Sequence, residues 1–198
     1  SYILQKDPNI PDNRRQAVNT LLRSGEHLSA LIEDILDIAR IEARKFEFNY
    51  ESINFHDFIE HLVRVHKLQA EDKGLTFRCQ IMNTLPMQVR ADRKRIGQIL
   101  INVLSNAVKF TQKGEIVFRI GYSSGVASFQ IIDTGPGIET EQLHAIFQPF
   151  TRLNTATGNA VAGSGLGLTI SKILAEMMGG DLSVDSELGL GTTFTIRL

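Results

Sequence analysis

Residues 14 to about 46 carry an apolar stripe that one helix cannot bury by itself. Leu21, Gly25, Leu28, Ile32, Ile35 and Ala39 step by alternating fours and threes, the a/d spacing of a helical seam. The stretch holds only about four heptads, so a bundle fits better than an extended coiled coil. The spacing therefore predicts one long amphipathic helix, started by "IPDN", that needs partners from upstream sequence or from another chain. The opening at Ser1, without a Met, raises the same expectation of a longer parent chain.

After residue 50 the pattern changes. "FHDFIEHLVRVHKLQAEDKG" reads as a second helix stopped at Gly74. Short strands are expected at about 75–82 and 87–91, then a helix from about 93 to 110. "EIVFRIGYSSGVASFQIID" reads as two strands around a turn, and a loop-rich stretch fills 134 to 167. "LTISKILAEMM" is a further helix ended by Gly179-Gly180, and "DLSVDSE" and "TTFTIRL" are a final strand pair around "LGLG". Helices interleaved with strand pairs predict an α+β, two-layer sandwich. The boundary falls near residue 48, giving a helical region over 1–48 and a sandwich over 49–198.

Composition removes several function classes. Lys plus Arg number 21 against 22 Asp plus Glu, a balance that argues against nucleic acid as a partner. No apolar run reaches the length of a membrane span, and the N-terminal segment is too polar for a signal peptide. Cys79 is the single cysteine, which rules out an internal disulfide and fits a reducing, cytoplasmic setting. Its alternating surroundings, "LTFRCQIM", predict a packed thiol.

The chemistry starts in "ILINVLSNAVKFT", residues 99–111. Asn102, Asn106 and Lys109 fall within roughly a 60° arc of the helix, opposite Leu100, Val103, Leu104, Ala107 and Val108. Asparagine costs a helix about 0.5 kcal/mol relative to alanine, so a solvated stripe would favour Glu, Lys or Gln. Two amides and an ammonium on one face need something to hold. An amide oxygen suits Mg²⁺, and an ammonium suits phosphate.

Three glycine-bearing stretches accompany this helix. "DTGPGI", 133–138, puts a carboxylate at a strand end, where it can accept from a ligand amine, although the same residues also make a good turn. "GSGLGLTI", 163–170, stands at a loop-to-helix junction. Its backbone N–H groups and the helix dipole can face an anion, although a linker has a similar composition. "GLGTTF", 189–194, reads equally as a hairpin turn.

In order and spacing, these stretches resemble the bacterial sensor histidine kinases. "QILINVLSNAVKFT" is similar to the family's N box, "DTGPGI" to its G1 box, "IFQPFTR" to its F box, "GSGLGLTI" to its G2 box, and "GTTF" to its last glycine element. The resemblance covers residues 50–198 and implies the GHKL-type ATPase sandwich, with helices on one face of a mixed sheet. It implies ATP and Mg²⁺ as cofactors. Asn106 would help bind the metal, and Lys109 would approach the phosphates. Asp133 would bind the adenine amino group, in a pocket shaped by Gly135 and Gly137, lined by Phe110 and assisted by Thr193. Gly163, Gly165 and Gly167, with Leu168 beside them, would cradle the phosphate tail. Arg152 would belong to a lid over 139–163.

Related chaperone, topoisomerase and mismatch-repair ATPases carry a glutamate where this chain has Asn102. A neutral amide cannot act as a general base, so Asn102 is left to orient the metal or its water, and phosphoryl transfer is favoured over hydrolysis. "RSGEHLSALIEDILDIARIEARKFEF" resembles the second helix of the dimerisation and phosphoacceptor domain. No stretch resembles His-Glu-Leu-Arg-Thr-Pro-Leu, so the phosphoacceptor histidine is expected upstream of Ser1, with "SYILQKD" ending its helix.

The implied partners are that histidine-bearing helix, from the same or a partner chain, a response-regulator receiver domain, and a second copy in a homodimer. Any membrane anchor would lie upstream. This chain is expected to bind ATP without phosphorylating itself. A non-catalytic ATP sensor and a GHKL ATPase clamp are the rival readings. His27 lacks the phosphoacceptor context, and His56, His61 and His66, spaced by five, cannot share a helix face as metal ligands. Arg44 stands where many relatives have glycine, which predicts that the long helix continues through the connection.

Overall fold

The computed structural model describes residues 12–43, 45–151 and 164–198. They belong to two compact units, Ser1–Phe46 and Glu47–Leu198.

Among the described residues, the first unit contains the helix α1 (Asp12–Glu42). The seam residues Leu21, Leu28, Ile32 and Ile35 are exposed along it. The helix stops short of the expected end. Ala43 N–H donates to Ala39 O at 3.0 Å, and Lys45 N–H reaches five residues back to Arg40 O at 2.9 Å, a wide closing turn. Residues 45–50 are not helical, so the predicted continuation is not observed, and Arg44 itself lies outside the described residues.

The second unit is the α+β sandwich. In chain order it runs β1 (Glu51–Asn54), α2 (Phe55–Asp72), β2 (Thr76–Ile81), β3 (Gln88–Ala91), α3 (Arg93–Phe110), β4 (Glu115–Ser123) and β5 (Val126–Asp133). Two single 3-10 turns follow, at Thr140–Gln142 and Ala145–Phe147, then α4 (Gly167–Met177), β6 (Asp181–Glu187) and β7 (Gly191–Arg197). Five strands form a mixed sheet in the order β2-β4-β5-β7-β6. β2 runs parallel to β4, and the other neighbours are antiparallel. β3 pairs instead with β1, a four-residue strand too short to leave a periodic signal in the sequence.

Strand alternation decides which face is covered. Phe118, Ile131 and Phe194 share one row, and Phe129 and Ile196 the next, all 5% exposed or less. Phe118 stacks on Phe129 with centroids 6.2 Å apart, and Phe55 of α2 meets the Phe129 ring edge-on at 6.2 Å. Each such side chain contributes about 1.5–3 kcal/mol by leaving water. α3 packs between α2 and α4, with Ile99, Leu100, Val103 and Leu104 fully buried.

Two helix starts have side-chain caps. Asn54 Oδ1 accepts from Asp57 N–H at 3.2 Å, and Asp92 Oδ1 accepts from Arg95 N–H at 3.0 Å. One expectation needs correction. Cys79 is exposed rather than packed, because burial along its face of the edge strand β2 fades from Phe77 (8% exposed) to Ile81 (56%). Of the three histidines of α2, His66 is 2% exposed, with Nδ1 2.8 Å from Leu62 O, and His56 and His61 face water.

Candidate functional site

The helix α3 carries Asn102, Asn106 and Lys109 half-buried on one flank. Asn102 turns toward α4: its Nδ2 donates to Ser171 Oγ at 3.0 Å. Gly167 lies against the same amide, and a Cβ there would overlap Asn102 Oδ1 and stand 2.9 Å from Cγ. The amide thus links α3 to the first turn of α4.

Asn106, one turn further on, makes no hydrogen bond among the described residues, so its amide oxygen can serve a ligand. Lys109 Nζ stands 4.8 Å from the Phe110 ring centroid, over the aromatic face. The end of α3 is secured from α2: Lys73 Nζ donates to Val108 O at 2.8 Å and to Lys109 O at 2.7 Å. An ammonium on the last carbonyls complements the negative end of the helix dipole.

Asp133 ends β5 in phase with Phe129 and Ile131, so alternation turns its carboxyl to the helix side of the sheet. It is 7% exposed, and Gly135 N–H donates to its Oδ1 at 2.8 Å. Burial pushes the carboxyl pKa up, while the backbone N–H groups of Gly135 and Thr192 and the neighbouring Thr111 hydroxyl favour the ionised form. The Thr111 hydroxyl stands beside this carboxyl but misses hydrogen-bond geometry, and its buried Oγ1 has no partner among the described residues. Thr111 and Thr192 escaped the sequence reading. Thr193 had been placed near the base, but it pairs with Ile132 and Asp185 on the opposite face, and Thr192 pairs with Asp133. The period-two pattern leading to the buried Phe194 carried that signal.

The loop after Asp133 is fastened to the β6–β7 hairpin. Gly137 has φ +71°, and a Cβ there would strike Glu187 O and stand 2.9 Å from Leu188 Cα. Gly189 N–H donates to Pro136 O at 2.7 Å, and Ile138 N–H to Ser186 Oγ at 2.9 Å. Gly137 thus meets backbone directly. A Cβ on Gly135 would crowd Asp133 Oδ1 at 2.7 Å.

The junction before α4 is held similarly. Phe150 N–H donates to Gly165 O at 3.0 Å, and Leu166 N–H to Ser164 Oγ at 3.2 Å. Among the described residues no side chain caps α4 at Leu166, which leaves the first-turn N–H groups, including those of Gly167 and Leu168, available to an anion. Lys172 ties α4 to β6 through Asp181 Oδ1 at 2.5 Å, and stands 5.8 Å from the Phe147 ring centroid. Arg152, Gly163 and the lid segment 152–163 lie outside the described residues.

Among the described residues, no three His, Cys, Asp or Glu side chains converge to hold a metal. No described helix is long and apolar enough to cross a membrane.

Comparison with known proteins agrees with this geometry. Residues 91–198 match the model of the histidine kinase-, DNA gyrase B- and HSP90-like ATPases, and residues 3–44 match the His Kinase A (phospho-acceptor) domain. The autoinducer 2 sensor kinase/phosphatase LuxQ of Vibrio vulnificus strain YJ016 is 39% identical over 206 residues, covering 100% of this chain and 24% of LuxQ. The aerobic respiration control sensor protein ArcB of Escherichia coli K12 is 37% identical over 194 residues, covering 97% of this chain and 25% of ArcB. The chain thus spans about a quarter of the length of these relatives. Among solved structures, full-length ShkA in complex with AMPPNP superposes with a TM-score of 0.80 at 31% identity, over 98% of this chain and 40% of ShkA. The catalytic domain of histidine kinase ThkA gives a TM-score of 0.64 at 25% identity, over 76% of this chain and 95% of that one. The chain belongs to the histidine kinase-, DNA gyrase B- and HSP90-like ATPase family, as a GHKL-type histidine kinase catalytic domain joined to part of a His Kinase A domain.

Proposed function

We propose that the Glu47–Leu198 unit binds Mg·ATP between α3, the end of β5 and the first turn of α4, and delivers the γ-phosphoryl to a histidine on a separate helix for relay to a response regulator. The observation that carries the reading is Asp133, a buried carboxyl that the backbone N–H groups of Gly135 and Thr192 stabilise. In this reading its free acceptor capacity meets the exocyclic amine of adenine, with Phe110 against the base. Lys109 neutralises phosphate charge, and the uncapped N–H groups at Gly167 and Leu168 hold phosphate oxygens. Asn106 supplies an amide oxygen to Mg²⁺, which when bound would neutralise and orient the phosphate tail. Gly163 and Arg152 would complete the loop and the lid.

Transfer is favoured over hydrolysis by Asn102. Its amide has no basicity to activate water, and its hydrogen bond to Ser171 commits it to aligning α3 with α4. The exposed seam of α1 suits a homodimeric bundle that presents the acceptor histidine.

The test is γ-labelled ATP with the chain and a separately supplied helical hairpin that bears a phosphoacceptor histidine. Acid-labile label on the supplied hairpin, and none on the chain, is the expected result. Label on the chain's own histidines would overturn the acceptor assignment. ATP binding without transfer would favour a sensor, and steady phosphate release without transfer would favour an ATPase clamp.

A further inference from the structure

Thr111 closes the stretch "ILINVLSNAVKFT" with no role assigned to its side chain. It ends α3, where its N–H donates to Ala107 O at 3.1 Å, so its backbone is fixed by the helix. It is 0% exposed, and its Oγ1 is buried without a hydrogen-bond partner among the described residues. A buried hydroxyl left unpaired is costly, and valine would fill the same volume without that cost. A β-branched residue also has few rotamers, so the hydroxyl cannot swing far to find an alternative.

What lies beside it gives the hydroxyl a use. An added Cβ on Gly135 would stand 2.7 Å from Asp133 Oδ1 and 3.4 Å from Thr111 Oγ1, so both oxygens border the same point. The absence of a side chain at 135 keeps that space open. Thr111 comes from the helix and Asp133 from the sheet, so the pair spans the two layers at the mouth of the proposed base site.

We propose that the Thr111 hydroxyl is a specificity-positioning group: it donates to the Asp133 carboxylate and turns the other acceptor lone pairs toward the 6-amino group of adenine. The inference rests on the assignment of Asp133 to the base. A small rotation of either side chain makes the bond, and the carboxylate is then ionised, oriented and relieved of part of its burial penalty. Thr111 acts through Asp133 and does not touch the phosphates.

The test compares ATP with purine riboside triphosphate, which lacks the 6-amino group, by calorimetric titration of the full chain and of Thr111→Val, Thr111→Ser and Asp133→Asn. The removed bond goes to a charged group, so Thr111→Val should weaken ATP binding about tenfold or more. Binding of the amino-free analogue should change less than about twofold, and Thr111→Ser should restore most of the preference for ATP. Equal weakening of both nucleotides by Thr111→Val would assign it to packing alone and overturn the proposal, as would no change. Should Thr111→Val fail to fold, a Thr111→Ser chain no better than Thr111→Ala at preferring ATP would overturn it instead. Asp133→Asn separates the two readings. If it keeps the ATP preference, the assignment of the base to Asp133 fails, and the role of Thr111 with it. If it loses the preference while Thr111→Val keeps it, only the role of Thr111 fails.

Discussion

Two glycines share a backbone conformation and differ in what surrounds them, and the difference can be measured. Gly137 has φ +71° and Gly125 has φ +83°, so alanine at either pays the left-handed penalty of about 1–2 kcal/mol. At Gly125, in the β4–β5 turn, an added Cβ meets nothing within 4 Å. At Gly137 it would overlap Glu187 O and press on Leu188 Cα at 2.9 Å. Both obstacles are backbone, which cannot rotate away as a side chain tip can. Relief means lifting the 134–138 loop off the β6–β7 hairpin, which strains the Gly189–Pro136 and Ile138–Ser186 bonds. Overpacking of this kind costs about 1–3 kcal/mol beyond the φ penalty. Gly125→Ala should therefore lose about 1–2 kcal/mol, and Gly137→Ala about 2–5 kcal/mol. Urea unfolding at 25 °C, read with a common slope, measures both. Losses equal to within about 0.5 kcal/mol would refute the close-approach argument, because φ alone would then explain both sites.

Three other perturbations test the energetics around the site. Burial raises the folded-state pKa of Asp133 above 3.8, so the folded carboxyl takes a proton at higher pH than the unfolded one. The stability of the original chain relative to Asp133→Asn should therefore rise as pH falls from neutral toward about 4, and denaturant unfolding across that range that shows the opposite trend would contradict it. Burial lowers the pKa of His66 below 6.5, so on acidification the unfolded chain binds a proton that the folded one resists. Stability should fall below about pH 6.5 in the original chain and much less in His66→Leu, measured by unfolding at paired pH values. Lys73→Met, which removes the ammonium from Val108 O and Lys109 O, should cost about 1 kcal/mol, largely recovered in Lys73→Arg and smaller at high salt in thermal unfolding.

Most of the fold was legible because the covered sandwich leaves strong periodicities. α2, α3 and the strands of the five-stranded sheet fall close to their expected limits, since apolar spacing and the turn glycines agree. β1 was missed because four residues give alternation no room, and its pairing with β3 is a tertiary choice. The end of α1 was missed because propensity favoured continuation, whereas the Lys45–Arg40 closure ends the helix. Cys79 was misjudged because burial at an edge strand depends on what packs above and not on local pattern.

The site was legible in its glycines and its α3 amides, which are chemically unusual for their positions. Its finer wiring was not. Thr193 looked equivalent to Thr192 in "GTTF" until the register turned one toward Asp133 and the other away. Asn102 read as a ligand for the metal or its water, and its bond to Ser171, 69 residues away, is a contact that only the fold creates.

The central claim is that this chain holds Mg·ATP through α3 and the end of β5. Calorimetric titration of the folded chain with a non-hydrolysable ATP analogue, with and without Mg²⁺, alongside Asn106→Asp and Asp133→Asn, tests it most directly. Saturable one-to-one binding that depends on Mg²⁺ and is weakened by both substitutions is the expected result. Absence of binding to a folded chain, or Mg²⁺-dependent binding that neither substitution disturbs, would contradict it.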